Sequence, residues 1–236
     1  MCTGSRPITP SFHERYNPSL KVIDLDESLL LSHLPSILPS DQPSTVAVIG
    51  SSHSGILVVR NLFEVNQSGD RSLKIINFQR QPIKYAEYRD DGIVWDNSGL
   101  KGDTAEWAKN VLTKGKGKEV IEQVELGKDE ESVYAKYLPK CTHIVYAIGY
   151  TPNPYPDIYV EERKLDQEEM FFDMHTSGFR IGGEDGEEIP GLYGLGIAHP
   201  EMVEDPEGHV EAAVGVAKFF KFGERVGERW VNVVSG

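Results

Sequence analysis

The residues best placed to do chemistry begin at Gly50. Gly50, Ser51, Ser52, His53, Ser54 and Gly55 follow an apolar run at residues 45–49 and precede apolar residues at Ile56, Val59, Leu62 and Phe63. A buried parallel strand running into an amphipathic helix has this pattern. A glycine-framed turn between two such elements suits the pyrophosphate of a dinucleotide. The first glycine permits the sharp turn, a small second residue lets the backbone approach the phosphates, and the last lets helix and strand pack closely. Phosphate would then meet N–H groups at the positive end of the helix dipole. Ser52 stands where a glycine is usual; its hydroxyl can donate to phosphate, yet it takes up room. An ordinary tight turn of an α/β protein explains the same spacing.

Other polar residues extend this reading. Asn77, Phe78, Gln79 and Arg80 close the next strand and include no acid to hold ribose hydroxyls. Arg80 suits a 2′-phosphate, which favours NADP over NAD; a solvated surface arginine is the alternative. Lys101 could reach a cofactor phosphate or simply be solvated. His53, at the helix start, could touch phosphate, act as an acid or base, or serve structure alone, and the dipole should lower its pKa. Further along, His199, Glu201, Glu204 and His209 read as a polar cluster suited to proton transfer, with a solvated acidic loop as the alternative. The catalytic candidates are therefore His53, His199 and Glu201. Their spacing is not that of a metal site. Neither a nucleophile elbow nor a Walker loop occurs.

The elements that must position these residues read as an α/β fold with a Rossmann-like parallel sheet. Residues 1–20 look irregular, and residues 22–38 suggest a short helix stopped by Pro39. Strands are expected at 45–49, 73–76, 119–126 and 143–148, with helices at 54–65 and 103–112. Strand, helix and strand in succession make a right-handed βαβ unit. The acidic stretch 161–188 should form hairpins, with a short strand at 179–181, and residues 210–222 a closing helix. Tyr85, Tyr88 and Trp95 could stack on a ring or form core.

The net charge is −13, unevenly spread: residues 1–118 carry 13 acids and 14 bases, residues 119–236 carry 24 acids and 10 bases. The acidic half argues against nucleic acid and anionic membrane as partners, and a small-molecule substrate is expected instead. Apolar runs fall short of the ~20 residues a membrane span needs. Two cysteines, Cys2 and Cys141, make no disulfide framework, which points to a reducing, cytoplasmic setting.

Four segments together resemble the flavin-containing monooxygenase and pyridine nucleotide-disulfide oxidoreductase superfamily, in which a nicotinamide domain is inserted into a flavin domain. Met1-Cys-Thr-Gly-Ser-Arg-Pro7 resembles the first crossover between the two. Residues 50–55 resemble the nicotinamide fingerprint, and Val145-Tyr-Ala-Ile-Gly149-Tyr resembles the returning crossover, with Gly149 in its glycine position. Ile189-Pro-Gly-Leu-Tyr-Gly-Leu-Gly196 resembles the late flavin-domain strand. Fungal members with a matching Asp96-Asn-Ser-Gly-Leu-Lys-Gly102 stretch are similar too. The resemblance implies NAD(P)H binding and hydride transfer to a flavin or a small-molecule substrate. It also implies three regions: a residual flavin-domain segment and linker (1–40), the nicotinamide domain (41–150) and a residual flavin-domain part (151–236). Departures are equally clear, because the family's first glycine fingerprint is absent and Ile197-Ala-His199 replaces its late aspartate. A truncated flavin half is expected, and unaided FAD binding is not.

Two rival expectations follow. The vacated crevice could serve cofactor-free chemistry, such as an isomerisation or cyclisation, or the chain could be a non-catalytic remnant. Exposed flavin-side segments should be covered by a homodimer, through Tyr193 and a 210–222 helix with Phe219, Phe220 and Phe222, or by a separate flavin-binding partner.

Overall fold

The computed structural model describes residues 1–69 and 71–235. In chain order its strands are β1 (Ser5–Pro7), β2 (Lys21–Ile23), β3 (Ser44–Ile49), β4 (Leu73–Gln79), β5 (Glu87–Arg89), β6 (Gly92–Val94), β7 (Ile121–Glu125) and β8 (His143–Tyr146). They continue as β9 (Tyr150–Pro152), β10 (Ile158–Val160), β11 (Arg163–Leu165), β12 (Met170–Asp173), β13 (Gly178–Ile181), β14 (Glu187–Tyr193), β15 (Met202–Glu204) and β16 (Val210–Ala212). The helices are α1 (Leu25–Leu29), α2 (Leu34–Ile37), α3 (His53–Gln67), α4 (Gly102–Ala108), α5 (Glu130–Tyr137) and α6 (Val216–Ser235).

Two compact units emerge. One holds residues 7–87 and 98–149; the other holds 1–6, 88–97 and 150–236. The first is the expected Rossmann-like α/β unit. Among the described residues its sheet has five parallel strands in the order β2-β8-β3-β4-β7. The chain steps outward from β3 to β4 and β7, then returns to the other side of β3 with β8. That reversal opens a crevice at the carboxyl ends of β3 and β8. Register aligns those ends, since Ile49 lies opposite both Phe78 and Tyr146.

Burial explains why the strands read as unbroken apolar runs. Val46, Val48, Ile56, Val59 and Leu62 are fully buried where α3 covers one face of the sheet. On the other face, Ala47, Phe78, Ile144 and Tyr146 join Tyr134 of α5 and Leu138. Phe12 packs on Tyr134 at 4.7 Å, and His13 Nδ1 lies 2.6 Å from the Tyr146 hydroxyl, pairing two buried polar groups. Residues 1–20 are thus less irregular than expected.

Residues 22–38 are not one helix. Residues 21–23 pair with β8 as an edge strand, and the rest forms α1 and α2. The leucines do have helical spacing. However, Leu30 takes an extended conformation that ends α1, and α2 begins afresh at the turn holding Pro35. Both short helices contact α3, and Asn61 Nδ2 ties α1 to it by donating to the Ser28 and Leu29 carbonyls, at 3.2 and 3.0 Å. Residues 21–38 therefore belong to the sheet unit.

In the other unit, the acidic stretch forms the expected hairpins: β10 pairs with β11, and β12, β13 and β14 form a meander. Phe179 and Ile189 centre its core. The two crossover-like segments, β1 and β9, pair with each other. Residues 210–222 are not one helix either. β16 pairs with β15, Gly215 turns at φ +143°, and only then does α6 start. Phe222 is buried, whereas Phe220 is 69% exposed. No helix of the described residues is long and apolar enough to cross a membrane.

Because Phe78 is fully buried between α5 and the sheet, Phe78→Ala should cost about 3–5 kcal/mol. Leu30→Ala, at a half-exposed turn, should stay within about 0.5 kcal/mol. Urea unfolding of both variants measures the difference.

Candidate functional site

The glycine turn is built by contact. Gly50 has φ +121°, and a Cβ there would stand 2.2 Å from the Ala147 carbonyl oxygen of the strand beside it. A Cβ on Gly55 would stand 2.5 Å from the Gly50 carbonyl oxygen. Helix α3 therefore rests directly on the turn, and the turn directly on the end of β8. Neither position tolerates a side chain.

Asn77 completes the turn. This buried residue of β4 donates from Nδ2 to the Gly50 carbonyl at 2.8 Å and to Val48 at 3.3 Å. Its role was not read from the sequence, although one signal was there: an amide inside the apolar run of β4. Ser52, in extended conformation before α3, makes no side-chain cap. The first-turn N–H groups of α3 thus lack that internal acceptor.

In front of the turn lies a cavity of about 400 Å³. Phe78, Leu126 and Ala147 line its apolar part, the backbone of Gly50, Ser51 and Ser52 one wall, and Arg80 its rim. Apolar walls with a few convergent polar groups are typical of a small-molecule or cofactor site. Gly149 also borders it, holding φ +108° at the end of β8 while its carbonyl accepts the Ile8 N–H at 3.1 Å.

His53 opens α3 and is exposed, while Ser54 beside it is half-buried. Partial desolvation of the imidazole, with the Lys101 ammonium adding to it, holds its pKa below the ordinary 6.5. His53 is accordingly neutral at pH 7, and the structure brings Lys101 within its electrostatic reach. Arg80 is already engaged. Its Nε and Nη2 donate to the two carboxylate oxygens of Glu130, at 2.6 and 2.9 Å.

The cluster expected around His199 does not assemble. His199 is 1% exposed, with Tyr155, Phe172 and Phe179 rings around it at 5.6, 4.7 and 5.2 Å. Its Nε2 is buried without a hydrogen-bond partner, and burial pushes its pKa down to about 4. Glu201 instead pairs with Arg225. His209 stacks on Trp95 at 3.6 Å and meets the Asp205 carboxylate at 2.9 Å. These three side chains have three separate sets of partners.

A second cavity, of about 500 Å³, lies beside Asp205 within the same unit and is lined by Asp91, Asp96, Glu204 and Glu211. Burial would raise the Asp205 pKa, but N–H donors from Trp95, His209 and Glu207 outweigh it and hold the carboxylate ionised. Asp96 pairs with Lys218, and Glu211 accepts the Asn97 N–H. Much of this acidity therefore braces the Trp95 turn, which takes φ +57°. An anionic ligand would be repelled here, whereas the cavity at the glycine turn, with Arg80 at its rim, is compatible with phosphate. No group of three or more ligating side chains among the described residues could hold a metal ion.

No family model matches the chain. It is 40% identical over 239 aligned residues to "Monooxygenase AgnR1" of Paecilomyces divaricatus, which covers 98% of this chain and 59% of that protein. The chain thus spans about three-fifths of that relative's length.

His199 supplies a pH test. Its folded pKa of about 4 lies below the ordinary 6.5, so the unfolded chain binds its proton more readily. The contribution is complete above pH 6.5 and is lost as pH falls towards 4. Between pH 7 and 4 the native chain should lose roughly 3 kcal/mol more stability than His199→Leu, as read from urea unfolding at each pH.

Proposed function

We propose that this chain binds NADPH across the Gly50 turn and serves an oxidoreductase of the monooxygenase type. The observation that carries the reading is the turn itself. Gly50 and Gly55 leave no room for side chains, Asn77 holds the Gly50 carbonyl, and Ser52 makes no side-chain cap on the first turn of α3. Pyrophosphate would be held by the N–H groups of that turn and by the Ser51 and Ser52 hydroxyls. The adenosine ribose would lie over Phe78 towards Arg80, and the nicotinamide end towards Gly149. A nicotinamide dinucleotide, when bound, supplies hydride.

The chain's own residues hold and shield it. Ala147 and Leu126 exclude water from the inner wall, and neutral His53 can donate a hydrogen bond to phosphate without adding charge. Lys101 contributes positive potential on the same side. The 40% identity to a protein named as a monooxygenase supports an oxidoreductase reading. The hydride acceptor on this reading is a flavin, held by a further segment or a partner chain, acting on a small-molecule substrate.

Calorimetric titration tests the site. NADPH should bind the native chain, and Gly55→Leu should abolish binding, because its Cβ meets the Gly50 carbonyl. A native chain that takes up neither NADPH nor NADH would overturn the assignment.

A further inference from the structure

The end of β4 carries no acid of its own, yet the fold delivers one there. Glu130 comes from the first turn of α5, 50 residues beyond Arg80, and meets its guanidinium fork to fork. The pair lies at the surface, but its two-point geometry is fixed from the acid's side. Asp129 caps α5 by accepting the Ser132 N–H at 3.1 Å, and Tyr134, one turn on, is buried against Phe78 at 5.5 Å. Glu130 is 31% exposed and Arg80 71%. The acid is thus the better anchored partner, and the arginine is held by it.

We propose that Glu130 is a specificity-determining residue that narrows the preference for NADPH over NADH. The inference rests on the dinucleotide reading above, with the adenosine ribose facing Arg80. A 2′-phosphate carries about −1.5 to −2 charges near neutral pH. It would have to take Arg80 away from a carboxylate and then lie beside that carboxylate, like charge against like. A 2′-hydroxyl faces neither cost, and a carboxylate can accept its hydrogen bond. Arg80 alone would select the phosphate strongly; Arg80 held by Glu130 discriminates less.

The test is a cycle on the whole chain: native, Glu130→Gln, Arg80→Ala and the double variant, each titrated with NADPH and NADH by calorimetry. Glu130→Gln should raise the ratio of Kd for NADH to Kd for NADPH about tenfold, through tighter NADPH binding. The same change in the Arg80→Ala background should raise the ratio by clearly less, because only the like-charge and hydroxyl-acceptor effects of the carboxylate remain there. A gain of affinity cannot come from misfolding, and Glu130→Ser provides a second variant at the same helix start. An unchanged ratio in both single Glu130 variants overturns this inference while the binding site stands. A rise of undiminished size without Arg80 overturns it as well, because the pairing with Arg80 would then play no part. A native chain that binds neither nucleotide removes the site and the inference together.

Discussion

The seat of α3 on the Gly50 carbonyl is the constraint on which the rest of the sheet unit depends. Three backbones meet there: the end of β3, the start of α3 and the end of β8. Glycine at positions 50 and 55 lets them meet, and the Asn77 amide ties the carbonyl between them to β4. With that contact made, α3 lies flat on the sheet and buries Ile56, Val59 and Leu62. The mouth of the crevice then lies at the reversal of strand order. A wider turn would lose both the packing and the cavity.

Charge is handled locally in both units. On the sheet side, Glu130 answers Arg80 across the crevice rim. In the other unit, Asp205 collects three backbone N–H groups and the His209 ring, and so stabilises the left-handed turn at Trp95. The large negative charge of the second half is therefore partly internal bracing. His199 shows the opposite case: a histidine surrounded by rings stays neutral, because nothing beside it repays desolvation of the imidazolium.

Residues 1–6 and 150–236 share one unit, with β1 paired to β9, although more than half of the chain lies between them in sequence. The intervening sheet unit is thus inserted between two paired segments. Only residues 88–97 leave it to join the other unit.

The sequence by itself determined the parallel sheet, the glycine turn and the buried strands at 45–49, 73–76 and 143–148, because these depend on apolar runs and on glycine's freedom at positive φ. The last of these strands ends earlier, at Tyr146. It misread what depends on partners distant along the chain. Residues 21–23 are a strand only because β8 offers them an edge, and residues 210–212 only because β15 does. The period of the leucines after residue 28 is helical, but it says nothing of where a backbone must turn. Around the candidate site, the position of His53 and Gly55 at the start of α3 was legible from their place after β3. The ring cage of His199, the clamp by Asn77 and the Glu130 partner of Arg80 were not. Each joins side chains from different elements, and only tertiary packing brings those elements within reach of one another.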